Sequence, residues 1–154
     1  MYERLLVVDD DEQMRFFLSE ALKKRGYDVT LVGSAEEALG YFQNSPYDIV
    51  VTDVRLPGIS GLESLEKYKK VDNTAIVIVM TAYGNKQMAL EAIKQGAHDY
   101  FTKPFKLDEM EVVIRRALEK RALINEVSQL RERLDHRFEF NNIVGANGTL
   151  KPIF

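Results

Sequence analysis

The chain has 154 residues, 45% of them hydrophobic and 29% charged, a globular composition that can bury a core for one domain plus a short appendage. With no cysteine, disulfides, zinc–thiolate sites and cysteine nucleophiles are excluded, and two histidines, His98 and His136, are too few for a His-rich metal site. The net charge of -3 argues against nucleic-acid binding by the chain as a whole. No secretory leader is visible, and the apolar run Ala75–Met80 is far too short to span a bilayer, so a cytoplasmic chain without membrane contact is expected.

Short β-branched runs alternate with amphipathic stretches along most of the chain. Leu5–Val8, Asp28–Val32, Asp48–Thr52, Ile76–Met80 and Asp99–Thr102 read as strands, and the consecutive Val and Ile residues suit burial on both faces of a parallel sheet. After the first strand, Met14, Phe17, Leu18, Ala21 and Leu22 form one helical stripe. Lys23, Lys24 and Arg25 load its C-terminal end, and Gly26 supplies a left-handed stop. Ala35, Ala38, Leu39 and Phe42 form a second stripe, entered through Ser34-Ala-Glu-Glu37 with the spacing of a capping box. Ser60-Gly-Leu-Glu63 repeats the box before a third helix, and Gly96 closes a fourth. Five strands alternating with five helices give a doubly wound α/β domain, with ligands expected at the carboxyl ends of the strands.

Beyond Lys106 the chain changes character, with no Pro or Gly from Leu107 to Arg137. Leu107, Met110, Ile114 and Ala117 can cover the sheet as a fifth helix. Leu123, Val127, Leu130 and Leu134 then recur at steps of 4, 3 and 4, the step of a coiled-coil seam, with a solvated helical linker carrying scattered leucines as the other reading. Lys120 and Arg116 fall on the seam's backward extension and limit its length. The expected organisation is a domain over 1–118, a helical linker over 119–137 and the start of a further domain over 138–154.

The chemistry gathers at the strand ends. Asp9 and Asp10 follow the first strand and Asp53 the third, so three carboxylates should meet. Like charges so close require protonation or a cation, and oxygen-only ligands favour Mg2+. Thr81 ends the fourth strand and Lys103 the fifth. A carboxylate nucleophile, a hard cation, a hydroxyl and an ammonium are the parts of a phosphoryl-transfer site. Taken singly, Asp9, Asp10 and Asp11 could be helix caps, and Lys103 a solvated lysine.

Val7-Val-Asp-Asp-Asp-Glu12, Thr52-Asp-Val-Arg-Leu-Pro-Gly58, Met80-Thr-Ala82 and Asp99-Tyr-Phe-Thr-Lys-Pro-Phe105 resemble the receiver domains of two-component response regulators, over about Arg4 to Leu118. The resemblance implies a flavodoxin-like (CheY-like) fold with Asp53 as phosphoacceptor from a sensor histidine kinase. It also implies Mg2+ held by Asp10, Asp53 and the backbone carbonyl of Arg55, with Asp9 acting mainly through metal-bound water. Thr81 would move toward the phosphate and Tyr100 would follow as the aromatic switch, altering the face formed by the fourth helix, fifth strand and fifth helix. Arg55 and Tyr83, each two positions beyond a site residue, would slow self-dephosphorylation by hindering water.

Phe140-Asn-Asn-Ile-Val-Gly145 and Leu150-Lys-Pro-Ile-Phe154 are similar to the opening of the ATPase domain in NtrC-type activators of sigma-54 RNA polymerase. That likeness implies a homodimer through the linker seam and a downstream ATPase acting on sigma-54 polymerase. No G-x-x-x-x-G-K-[ST] run and no DNA-reading helix pair is present, so the chain is expected to be a phosphoacceptor rather than an enzyme, with no direct nucleic-acid contact. Two alternatives compete: a haloacid-dehalogenase-like phosphohydrolase with Asp9 as nucleophile, which leaves Asp53 unexplained, and a phosphorylation-independent dimerisation module.

Overall fold

The computed structural model describes residues 3–82 and 85–145, with side chains as far as 134. Five strands alternate with five helices: β1 (Arg4–Val8), α1 (Glu12–Lys24), β2 (Asp28–Val32), α2 (Ala35–Asn44), β3 (Ile49–Asp53), α3 (Gly61–Val71), β4 (Val77–Ala82), α4 (Lys86–Lys94), β5 (Asp99–Lys103) and α5 (Leu107–Gly145). All strand pairs are parallel, in the order β2-β1-β3-β4-β5. This is the doubly wound arrangement expected from the alternation of runs and stripes. The chain reverses its winding between β1 and β3, and that switch point is where such sheets form a crevice.

Burial follows the residue pattern. Leu5–Val8 of β1 and Val77–Met80 of β4 are fully buried on both faces, as helix-covered parallel strands require. One side of the sheet is filled by Leu6, Val8, Val50 and Val79 against Phe42, Leu65 and Tyr68 of α2 and α3. The Phe42 and Tyr68 rings meet edge-on with centroids 5.2 Å apart, a favoured aromatic geometry. On α1, Leu18, Ala21 and Leu22 are buried as the stripe demands, but Phe17 is half exposed. It turns to Phe105, 6.3 Å away, which packs in turn on Phe101.

Three of the strands run one or two residues further than their hydrophobic runs. Asp53, Thr81, Ala82 and Lys103 are all within strands, with Asp53 paired to Met80 and Ala82 to Lys103. Polar residues continue a strand here because the ladder needs only backbone groups, whereas hydrophobicity stops where the sheet leaves the core.

The helix starts are held by side chains. Asp11 caps α1 by accepting from Gln13 N–H at 2.9 Å. Ser60 and Glu63 form a complete capping box on α3. Ser34 accepts from Glu37 N–H, but the Glu37 carboxylate reaches Gly33 N–H instead of returning to Ser34, so the expected box at α2 is only half formed. Gly26 and Gly96, just past α1 and α4, have φ of 86° and 111°, the left-handed stops that their positions suggested.

The helix α5 continues through Arg137 to Gly145, beyond the point where its hydrophobic pattern fades. By its contacts the chain divides into Met1–Arg121 and Ala122–Phe154. In the first unit, Met110, Ile114 and Ala117 are fully buried. In the second, Leu123, Val127, Leu130 and Leu134 are exposed by 61%, 44%, 48% and 62%, so the apolar seam has no cover within the described residues. Within those residues no helix is long and apolar enough to cross a membrane.

Candidate functional site

Parallel pairing sets the site. The carboxyl ends of β1, β3, β4 and β5 lie side by side, so Asp9 and Asp10 after β1, Asp53 on β3, Thr81 on β4 and Lys103 on β5 come together although up to 94 residues separate them. One carboxylate oxygen from each of Asp9, Asp10 and Asp53 falls within 4.8 Å of the others. Asp9 is 1% exposed, Asp53 is half-buried and Asp10 faces solvent. Lys103 Nζ sits between the two inner carboxylates, 2.7 Å from Asp9 Oδ2 and 2.6 Å from Asp53 Oδ2.

Burial by itself would lower the Lys103 pKa. Hydrogen bonds from the ammonium to Asp53 and Asp9, together with their charges, outweigh that effect and hold it above its ordinary value. One ammonium cannot neutralise three carboxylates. A further cation fits the remaining charge, and a donor set made only of oxygens, partly open to water, suits a hard divalent ion.

A cavity of about 410 Å³ opens beside the carboxylates. Asp53, Arg55, Thr81, Asn85 and Lys103 supply its polar lining, and Met14 and Met88 belong to its apolar lining. The Thr81 hydroxyl is buried and has no hydrogen-bond partner among the described residues. A buried unpaired hydroxyl costs about 1–3 kcal/mol, and an anionic group bound in this cavity would satisfy it. Arg55 N–H donates to Asp53 Oδ1 at 3.0 Å, which fixes the rotamer of that carboxylate. Tyr100 is not part of the lining. It lies on the outer face of β5, 38% exposed, while its neighbour Phe101 points into the core. Tyr83 and the segment 146–154 lie outside the described residues, as does the side chain of His136.

Some contributors carry no local sequence signal. Gly61 begins α3, and a Cβ there would overlap the carbonyl oxygen of Asp53. Its N–H donates to Val54 O at 2.8 Å, drawing the start of α3 against the strand that carries Asp53. The spacing marked Gly61 as the residue after a cap, not as a point of close backbone approach. Asn85 caps α4 through Met88 N–H and also faces the cavity. Its N–H donates to Ala82 O at 3.1 Å, which holds it beside the end of β4, a placement that residue order alone does not give.

The geometry also separates the candidate nucleophiles. Both inner carboxylates are hydrogen-bonded at each oxygen, Asp9 by Asp11 N–H and Lys103, Asp53 by Arg55 N–H and Lys103, so exposure separates them: Asp9 is 1% exposed and does not line the cavity. Asp53 is the carboxylate that borders the cavity. A phosphohydrolase acting through Asp9 is therefore not favoured.

A doubly wound sheet whose switch point joins three carboxylates, a lysine and an unpaired hydroxyl defines a class: an α/β domain with a polar crevice at its strand ends, its donor set suited to a hard cation. The response regulator receiver domain family matches residues 5–115, and the chain belongs to that family. It is 33% identical over 150 residues to the regulatory protein AtoC of Escherichia coli, covering 97% of this chain and 32% of that protein. It is 36% identical over 118 residues to the sporulation initiation phosphotransferase F of Bacillus subtilis, covering 77% of this chain and 95% of that one. Among solved structures it resembles NtrX from Brucella abortus, with 34% identity and a TM-score of 0.80 over 88% of this chain and 31% of that chain. The chain thus spans about a third of the length of AtoC and of the similar regulator DctD of Rhizobium meliloti. It is a receiver domain of the two-component type with a long final helix.

Proposed function

We propose that Asp53 is the phosphoacceptor and that a sensor histidine kinase is the donor. The observation that supports this best is the position of Asp53, bordering the cavity with Lys103 at 2.6 Å and sharing it with the unpaired hydroxyl of Thr81. An Asp53 carboxylate oxygen attacks the phosphorus of an N-phosphorylated histidine. The P–N bond breaks, its electron pair leaves with the imidazole nitrogen, and an acyl phosphate remains on Asp53. Lys103 and Thr81 act as donors to the phosphoryl oxygens, where charge must be offset. Asp10, Asp53 and the backbone carbonyl of Arg55 are the residues to hold Mg2+, with Asp9 acting mainly through water. When bound, the ion supplies further neutralisation of the phosphoryl oxygens.

Phosphorylation adds charge and three acceptor oxygens at one point, so it favours a conformer that brings donors to them. Thr81 and Lys103 lie on β4 and β5, which lead into α4 and α5. The response is accordingly assigned to the α4-β5-α5 face, with Tyr100 as its aromatic switch. Leu123, Val127, Leu130 and Leu134 are assigned to a homodimer seam. Similarity to AtoC and DctD supports a parent protein whose output is a sigma-54-dependent ATPase acting on polymerase in the cytoplasm. In this reading the chain itself accepts and loses a phosphoryl group and does not hydrolyse ATP.

Intact-mass spectrometry after incubation with a small acyl phosphate and Mg2+ tests the assignment. One added phosphoryl group is expected in the wild type, and none in Asp53→Asn or without Mg2+. Phosphate turnover that survives Asp53→Asn and stops in Asp9→Asn would overturn it.

A further inference from the structure

Arg15 lies in the first turn of α1, its N–H bonded to Asp11 O at 3.0 Å. Its guanidinium turns back over the end of β1, and Nη1 donates to the backbone carbonyl of Asp9 at 2.7 Å. That distance is short for a neutral acceptor, as charge-assisted bonds are. The carbonyl belongs to the planar peptide unit that joins Asp9 to Asp10. Its tilt therefore sets the directions in which both carboxylates leave the chain. Asp9 is anchored at its other polar atoms too: N–H to Val32 O at 3.1 Å, Oδ1 to Asp11 N–H, and Oδ2 to Lys103. Arg15 is the side chain that fixes the remaining one.

The guanidinium occupies space left by Gly33, just after β2. A Cβ on Gly33 would lie 3.1 Å from Arg15 Nη1 and 3.7 Å from Cζ. The Gly33 backbone is outside the left-handed region, so what this glycine provides is room and not a turn.

We propose that Arg15 is a positioning residue for the cation site, orienting the Asp9–Asp10 peptide unit, with Gly33 as its seat. The proposal rests on reading Asp9 and Asp10 as part of that site. Side chains that hold ligating groups in place typically contribute 10–100-fold to metal affinity. Two effects of Arg15 oppose each other. Its positive charge repels a second cation, while its hydrogen bond orders the carboxylates. Gly33→Val separates them, because it displaces the guanidinium and keeps the charge.

The test is isothermal titration of Mg2+ into the whole chain as wild type, Arg15→Ala and Gly33→Val, with metal-free thermal melts alongside. Gly33→Val should bind Mg2+ about tenfold more weakly than wild type, and Arg15→Ala should lose less because the repelling charge goes with it, both melting cooperatively without metal. In phosphorylation by a small acyl phosphate, the Mg2+ concentration giving half the maximal rate should rise, with the rate at saturating Mg2+ kept within about threefold. Wild-type affinity in Gly33→Val, or Arg15→Ala binding Mg2+ more weakly than Gly33→Val, overturns the proposal. So does a fall in saturating rate with an unchanged Mg2+ requirement. If Arg15→Ala does not fold, Gly33→Val decides by itself. A wild type that binds no Mg2+ removes the cation site, whereas normal wild-type binding with indifferent variants removes only the role of Arg15.

Discussion

Lys103 carries two tasks that pull in opposite directions. Its ammonium is the counter-charge of a buried Asp9 and a half-buried Asp53, and it also occupies carboxylate oxygens that a cation would use. Removing one partner of a fully buried pair costs several kcal/mol, and of an exposed pair almost nothing. The side chain of Lys103 is 23% exposed and that of Asp9 1%, so an intermediate loss of about 2 kcal/mol is expected for Lys103→Met in metal-free buffer. The variant should then gain more stability from Mg2+ than the wild type does, because the site has lost a competing positive charge. Urea unfolding with and without Mg2+ reads both effects, and a variant as stable as wild type without metal would count against the pairing. Gly61 tests the backbone in the same way. A Cβ there would overlap the Asp53 carbonyl oxygen, so Gly61→Ala should shift the start of α3 and lower both stability and phosphoacceptance, where Gly40→Ala, with open space around it, should lower neither.

Among the elements, α5 shows how one helix is bound along part of its length. Met110, Ile114 and Ala117 are buried, and Glu111 pairs at 2.6 Å with Arg25, the residue that caps the end of α1. At the end of the first unit, Arg121 Nη1 donates to Thr74 Oγ1 at 2.8 Å and to Thr74 O at 3.1 Å, and Nη2 lies 3.6 Å from Asp72 Oδ2. Burial tends to raise the Asp72 pKa. The hydrogen bonds from Thr74 and the charges of Arg121 and Lys69 outweigh it and hold the carboxyl below its ordinary value of 3.8. With the folded-state pKa depressed, the unfolded chain takes up the proton first as pH falls. The stabilisation is complete above the ordinary value and is lost as pH drops through the folded one. Asp72→Asn should therefore flatten the acid limb of stability below about pH 4, and an acid limb identical to wild type in urea melts at pH 3 and pH 6 would exclude the contribution. Such a clasp could not be read from the sequence, because it joins residues 47 apart through side chains that look like ordinary surface polar groups. Strands and helix stripes were legible because periodicity is local. Phe17 shows the limit of that rule: the stripe assigns it to the core, yet an aromatic from the β5–α5 turn draws it to the rim. Asp53, Thr81 and Lys103 were legible as strand-end residues, while Arg15 and Gly61 depend on where backbones meet.

At the scale of the whole chain, the receiver site and the linker seam make separable demands. The seam has two heptads, and its four apolar side chains are exposed by 44–62%. Burying half of each side chain gains roughly 1 kcal/mol, or about 8 kcal/mol gross for two strands. Association itself costs at least about 4 kcal/mol. The remainder corresponds to a dissociation constant near the millimolar range, so a dimer held by this seam alone forms only at high concentration. Any stronger dimer must recruit further surface, and the α4-β5-α5 face offers Leu90, Ile93 and Tyr100, all exposed. Sedimentation velocity over rising concentration distinguishes the two contributions. Leu130→Glu places a charge in the middle of the seam and should remove the weak self-association of the unphosphorylated chain, while one phosphoryl group is still accepted at Asp53. If self-association in Leu130→Glu matches wild type at every concentration, the seam does not join two copies. If phosphoacceptance falls with it, the seam and the site are not independent.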